Sequence, residues 1–206
     1  MMPTTKLIYL FAFLLLMIGC EQAVSTDYSK ISAKTESGKA VHVVVEIPAG
    51  TNHKIEYNYE NGQFETDTID GRPRVIDFLP YPGNYGFIPS TLMDETRGGD
   101  GDALDILVIG ESQPTGTVIE AIPIATLRLL DQGELDTKII AVPADEMQRV
   151  IKATDFQSFL IEYDAAKRII ENWFLRYKGW QVVEFQGWED ERYAWKEIEK
   201  WILKSN

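Results

Sequence analysis

Residues 41–47, Val-His-Val-Val-Val-Glu-Ile, place Val41, Val43, Val45 and Ile47 on one side and His42, Val44 and Glu46 on the other. Alternation of period two in a β-branched run predicts a strand. Pro48-Ala49-Gly50 predicts a turn, after which Lys54, Glu56 and Asn58 alternate with Ile55, Tyr57 and Tyr59. Two successive strands thus each carry charge on one face. Further strands are expected over 63–66, 75–79, 103–109, 117–130 with a break near Pro123, 135–142 and 182–185, most of them bounded by Gly, Pro or Asp. Tyr81 to Phe87 reads as an aromatic loop, its tyrosines either offering hydroxyls or packing as the core of a turn. Helical spacing appears late: over 145–152, over 158–178 with Ala166, Ile170, Phe174 and Tyr177 recurring, and over 189–204 with Tyr193, Trp195, Ile198, Trp201 and Ile202 among charges. The pattern predicts an α+β domain, an antiparallel barrel or sandwich with helices packed outside.

The start of the chain follows different rules. Leu7 to Ile18 is an unbroken run of twelve apolar or aromatic residues after Lys6, too short to span a bilayer but the length of a signal-peptide core. Gly19-Cys20 follows, and a small residue before the chain's one cysteine resembles the bacterial lipoprotein signal. That resemblance implies a signal peptide over 1–19 and, over 20–40, a lipidated Cys20 and a tether, the alternative being a plain secretory peptide or a membrane-associated N-terminal helix whose cysteine is accidental; the folded domain is expected over 41–206. Residues 21–40 are poor in large apolar side chains, which predicts a flexible tether. The expected location is the bacterial cell envelope, lipid-anchored, periplasmic or at the outer membrane.

Charge narrows the function. With 32 Asp and Glu against 20 Lys and Arg, the 206-residue chain carries a net charge of -12, which repels a phosphate backbone and argues against nucleic acid as a partner. An acidic chain that takes up phosphate needs metal ions. One cysteine and two histidines, His42 and His53, exclude internal disulfides and a Cys-rich zinc centre. His42 sits mid-strand and His53 in a turn, so neither is a candidate for chemistry.

Thr96 to Asp105, TRGGDGDALD, sets Asp100, Asp102 and Asp105 within six residues of a glycine-rich loop. Three carboxylates so close are tolerated when well solvated or when they share a hard cation. A calcium hand does not fit, because Leu104 and Asp105 occupy the fifth and sixth places where an oxygen ligand and a glycine are required. A second segment, DQGELDTK, reads as strand–turn–strand and sets Asp131 and Asp136 beside Lys138, a combination suited to metal plus phosphate. Arg176-Tyr177-Lys178 ends the long helical stretch with two cations and a phenol, which suit phosphate oxygens or the helix dipole. Tyr81 and Tyr85 add hydroxyls, with Arg72 and Arg74 upstream.

Together and in this order the segments resemble a family I soluble inorganic pyrophosphatase, from about Val43 to Trp188. Asp100-Gly101-Asp102-Ala103-Leu104-Asp105 matches that family's D-x-D-x-x-D signature, Asp131, Asp136 and Lys138 its D-x4-D-x-K element, and Tyr177-Lys178 its late pair. The resemblance implies a five-stranded antiparallel OB-like β-barrel with peripheral helices, and Mg²⁺-dependent hydrolysis of pyrophosphate to two phosphates by a metal-bridged hydroxide. By the same resemblance Asp100, Asp105, Asp131 and Asp136 would ligate several Mg²⁺ ions, with Asp102 as general base. Lys54, Arg74, Tyr85, Lys138, Tyr177 and Lys178 would hold phosphate, with Glu46, Glu56 and Tyr81 in support; Arg74 is preferred to Arg72. A homo-oligomer is a further expectation. The alternative of another class is an exported lipoprotein that keeps the fold and binds phosphate or metal without turnover.

Overall fold

A computed structural model describes residues 26–179 and 182–203. The apolar run Leu7 to Ile18 and Cys20 lie outside the described residues. The described residues form ten strands: β1 (Val41–Ile47), β2 (Ile55–Asn58), β3 (Gln63–Thr66), β4 (Thr68–Ile69), β5 (Arg72–Pro73), β6 (Asn84–Phe87), β7 (Asp105–Val108), β8 (Val118–Asp131), β9 (Glu134–Pro143) and β10 (Val183–Asp190). Among the described residues three α-helices follow or interrupt them: α1 (Phe156–Glu162), α2 (Asp164–Arg176) and α3 (Glu191–Trp201).

Six strands make one sheet in the order β1-β6-β7-β9-β8-β10, and β1 pairs with β8 as well, so the hydrogen bonding returns on itself through five strands. The sheet is mixed rather than wholly antiparallel. β8 runs opposite to both β7 and β9, which leaves β7 and β9 parallel, with Ile106 opposite Ile139. β10 adds a sixth strand outside the five-strand circuit. Two large apolar clusters fill the molecule. One joins Val41, Val43 and Val45 to Ile106, Ile139 and the inner stripe of α3, Ala194, Ile198 and Trp201. The other joins Leu107, Leu127 and Ile140 to Phe159, Trp173 and Phe174 of α1 and α2.

Several expectations are corrected by packing. β8 passes Pro123 unbroken, because a register shift between Pro123 and Ala125 absorbs the missing donor. Residues 75–79 form no strand; Ile76 is buried alone, while Val75, Phe78 and Leu79 are exposed. Tyr81 to Phe87 is not simply a turn, since Asn84–Phe87 is the fully buried strand β6 between β1 and β7. Over 145–152 only a 3₁₀ turn at Glu146–Gln148 forms, and Met147 and Val150 point to solvent with no apolar face to cover. The long helix expected over 158–178 is two helices, broken at Tyr163, whose hydroxyl accepts the Lys152 N–H at 3.0 Å. The last helix starts only at Glu191, because Glu189 and Asp190 still pair with Thr126 and Ala125 and the Asp190 carboxylate accepts the Tyr193 N–H.

The tether expected up to residue 40 is corrected over its described part. Tyr28, Ala33, Thr35 and Ala40 are buried, Ala33 accepts the His42 N–H at 3.0 Å, and Ser90 Oγ donates to the Ile31 carbonyl at 2.8 Å. A few apolar contacts and backbone bonds suffice to order a segment poor in large side chains.

Candidate active site

The acidic loop is held from below. Asp94 caps a 3₁₀ turn at Glu95–Arg97, Met93 N–H donates to the Asp102 carbonyl at 2.7 Å, and Leu104 N–H donates to Thr91 Oγ at 2.9 Å. Asp102 N–H in turn donates to Asp100 Oδ1 at 3.0 Å. The loop delivers Asp105 to the first position of β7, next to β9. The β8–β9 hairpin turns on Gln132 and Gly133, both with positive φ, and its register sets Asp131 opposite Glu134 and Asp136 opposite Leu129. Strand alternation then puts Asp136 and Lys138 on one face.

These side chains line one cleft of about 510 Å³. Its wall carries Asp100, Asp102 and Asp105 from the loop, Asp131, Asp136 and Lys138 from the hairpin, and Tyr177 and Lys178 from the end of α2. Glu46 on β1, Lys54 and Glu56 at β2, and Tyr81 and Tyr85 complete it. Arg74 stands behind Lys54 rather than in the wall: its Nη1 donates to Asp67 Oδ2 at 2.9 Å, and Asp67 lies 3.6 Å from Lys54 Nζ. Arg72 is exposed in β5. His42 and His53 are not among the lining residues.

Lys138 is buried, with Nζ between the carboxylates of Asp105 and Asp136 and 5.6 Å from the centre of the Tyr85 ring. Burial by itself would lower its pKa, but Asp105 and Asp136 carry it well above the usual lysine range. Lys178 pairs with Asp131 Oδ2 in the same way. Burial and the neighbouring carboxylates push Asp102 above the ordinary aspartate range, and burial does the same for Asp100. Burial, with Asp105 nearby, holds Tyr85 firmly as a neutral phenol. The floor is aromatic: Trp173 stacks on Tyr177 at 4.6 Å, the one-turn spacing of a helix, and Tyr81 packs 4.4 Å from Trp173.

The carboxylates suit hard cations. Among the described residues no three acidic groups already converge on one point, because Lys138 and Lys178 stand between them as built-in counter-charges. Asp131 Oδ1, however, is buried with no hydrogen-bond partner, an orphaned anionic oxygen of the kind a Mg²⁺ ion satisfies. The donor set therefore fits the metal.

Sequence reasoning missed Asp67, Tyr59 and Glu134. Tyr59 and Glu134 line the cleft, and Asp67 joins Lys54 to Arg74. Asp67 carries no motif; only the strand pairing of 54–74 brings it to Lys54. Glu134 could have been found, since the two-residue turn that places Asp131 also places its cross-strand partner.

The family model described as inorganic pyrophosphatase matches residues 43–206. The inorganic pyrophosphatase 1 of Pseudomonas syringae pv. tomato is 38% identical over 180 residues, covering 84% of this chain and 95% of that protein. The inorganic pyrophosphatase of Neisseria meningitidis serogroup A is 44% identical over 123 residues, 58% of this chain and 63% of that protein, so this match spans less than two thirds of the relative. The crystal structure of inorganic pyrophosphatase from Thermus thermophilus superposes with a TM-score of 0.72 at 30% identity, over 86% of this chain and 97% of that one. This chain belongs to the inorganic pyrophosphatase family.

Proposed function

We propose that the chain hydrolyses inorganic pyrophosphate to two phosphates, with Mg²⁺ in the acidic cleft. The observation that carries the reading is the meeting, in one cleft, of four prospective metal ligands, Asp100, Asp105, Asp131 and Asp136, with the phosphate-binding cations Lys54, Lys138 and Lys178. A site of this composition binds an anion only when cations offset its carboxylates. Bound Mg²⁺ would supply charge neutralisation and a water acidified toward neutral pH. Lys54, Lys138, Lys178 and the phenols of Tyr85 and Tyr177 would hold the phosphates in line, with Arg74 adding positive charge from behind. Asp102, raised in pKa by burial and by Asp100 and Asp105, would accept the proton of the attacking water. Glu46, Glu56 and Tyr81 would orient these groups. We read the five-strand circuit as an OB-like barrel that holds the site on rigid strands.

Phosphate release from pyrophosphate in Mg²⁺ and in EDTA tests this. Release should require Mg²⁺, and Asp102→Asn should lower turnover by about 10² to 10⁴ with the fold intact. Tight binding of pyrophosphate and metal with no release would leave a binding protein instead.

We also propose that the protein is lipid-anchored at the bacterial cell envelope through Cys20, on the strength of the twelve-residue apolar run and Gly19-Cys20. Cys20→Ser should abolish incorporation of radiolabelled fatty acid and release the protein from membranes; a fatty-acid-free wild type would refute the anchor.

A further inference from the structure

The hairpin β2–β3 stands outside the main sheet as a separate two-stranded unit. A single hairpin is only marginally stable on its own, yet this one borders the cleft with Glu56 and Tyr59, and Lys54 of the cleft wall directly precedes it. Something other than a sheet ladder must hold it in place. Its register puts Tyr57 opposite Phe64 on one face, and Glu56 opposite Glu65 on the other. Tyr57 N–H donates to Glu46 Oε1 at 2.7 Å, and the Tyr57 ring stacks on Phe87 of β6 at 5.9 Å.

Tyr28 closes this cluster from the opposite side. Its ring meets Tyr57 edge-on at 5.1 Å and Phe64 edge-on at 5.4 Å, and it is 8% exposed. Its hydroxyl donates to the Gly116 carbonyl at 2.8 Å, and Gly116 N–H donates to the Val45 carbonyl at 2.8 Å. Gly116 has φ +85, and a Cβ there would lie 2.9 Å from the Tyr28 hydroxyl and 3.3 Å from Phe64. The three groups are fitted to one another. Asp27 caps the turn that carries Tyr28, and Ser90 and His42 fix the backbone after it.

We propose that Tyr28 is a positioning residue: it clamps the β2–β3 hairpin against β1 and β6 and thereby holds Lys54 at the cleft. The segment ahead of the catalytic domain is thus a working part of the site. The inference rests on the proposed role of Lys54 in binding pyrophosphate.

The test is a double-mutant cycle on the full chain, with KM, kcat and Tm measured for Tyr28→Ala, Tyr28→Phe, Lys54→Ala and the Tyr28→Ala/Lys54→Ala pair. Tyr28→Ala should raise KM by about three- to tenfold, the scale of lost edge-to-face contacts, while Tyr28→Phe keeps both ring contacts and stays near wild type. In the Lys54→Ala background, Tyr28→Ala should leave KM unchanged, since the group it positions is gone. A lowered Tm with KM unaltered would reduce Tyr28 to a purely structural role and overturn the proposal. So would a KM effect of full size in the Lys54→Ala background. If Lys54→Ala alone leaves KM at the wild-type value, it is the assignment of Lys54 that fails, and the proposal falls with it. Should Tyr28→Ala not fold, Tyr28→Leu keeps the apolar bulk without the ring edges and carries the same cycle.

Discussion

Lys138 is the side chain on which the site's two charge states balance. Its Nζ lies between Asp105 and Asp136, so a divalent cation must compete with an ammonium already present. Removing one partner from a buried ion cluster leaves charge uncompensated and is costly. Lys138→Met should therefore lower Tm in EDTA by much more than in Mg²⁺, because the metal replaces the lost positive charge. It should also tighten Mg²⁺ binding by about tenfold or more, the scale of removing one charge a few Å away in a partly screened cleft. Calorimetric titration of Mg²⁺ into both proteins decides it; equal affinities would mean that Lys138 does not occupy a cation's place. Asp131 and Lys178 form a second such pair in the cleft wall, and the free Oδ1 of Asp131 shows that one lysine does not exhaust the carboxylate.

Elements matter through how closely they approach. Gly86 lies in β6 opposite Val45, and a Cβ added there would stand 1.9 Å from the Val44 carbonyl oxygen. No rotation of a side chain relieves a clash with backbone, so Gly86→Ala should force β6 from β1. A loss of about 3 kcal/mol or more is expected, in line with overpacking at a rigid position, read as a lowered denaturant midpoint. The neighbours of Gly86 also explain what the sequence could and could not disclose. β1 was legible to the residue because its seven residues are a β-branched run with His42 and Glu46 on one face, although Val44 on that face is buried too, and DQGELDTK was legible because Gly133 marks a turn. β6 was not, since Asn-Tyr-Gly-Phe has neither length nor alternation and becomes a strand only between β1 and β7. The break at Tyr163 was hidden for a related reason: no glycine or proline marks it, and a tertiary bond from Lys152 accompanies it. The clustered aspartates and Lys138 were visible as motifs. Asp67 and Tyr28 were not, because they act through partners reached only by folding, Lys54 and Arg74 for one and Tyr57, Phe64 and Gly116 for the other.

For the whole molecule, a net charge of -12 with so many carboxylates turned into one cleft makes stability depend on pH and metal together. Glu46 is the clearest contributor. Burial, aided by Asp105 and Glu56 and opposed by the Tyr57 N–H, pushes its carboxyl up from 4.5 to about 8. Between those values the folded protein keeps a proton that the unfolded chain has released, so stability must fall as pH rises across that range. The contribution is complete below about pH 4.5 and is lost as pH passes through 8. In EDTA, wild-type Tm should decline from pH 5 toward pH 9, and Glu46→Gln, which cannot ionise, should flatten much of that decline. A Glu46→Gln profile parallel to wild type would show that other groups set the slope. Repeating the scan in Mg²⁺ separates the cleft from the rest of the surface. Cations held by the aspartates lower the energy of an ionised Glu46 nearby, so the metal-bound protein should lose less stability toward alkaline pH than the metal-free one. The domain that looks over-acidic as a bare chain thus keeps more of its stability at neutral pH when its cations are in place, the condition in which pyrophosphate would bind.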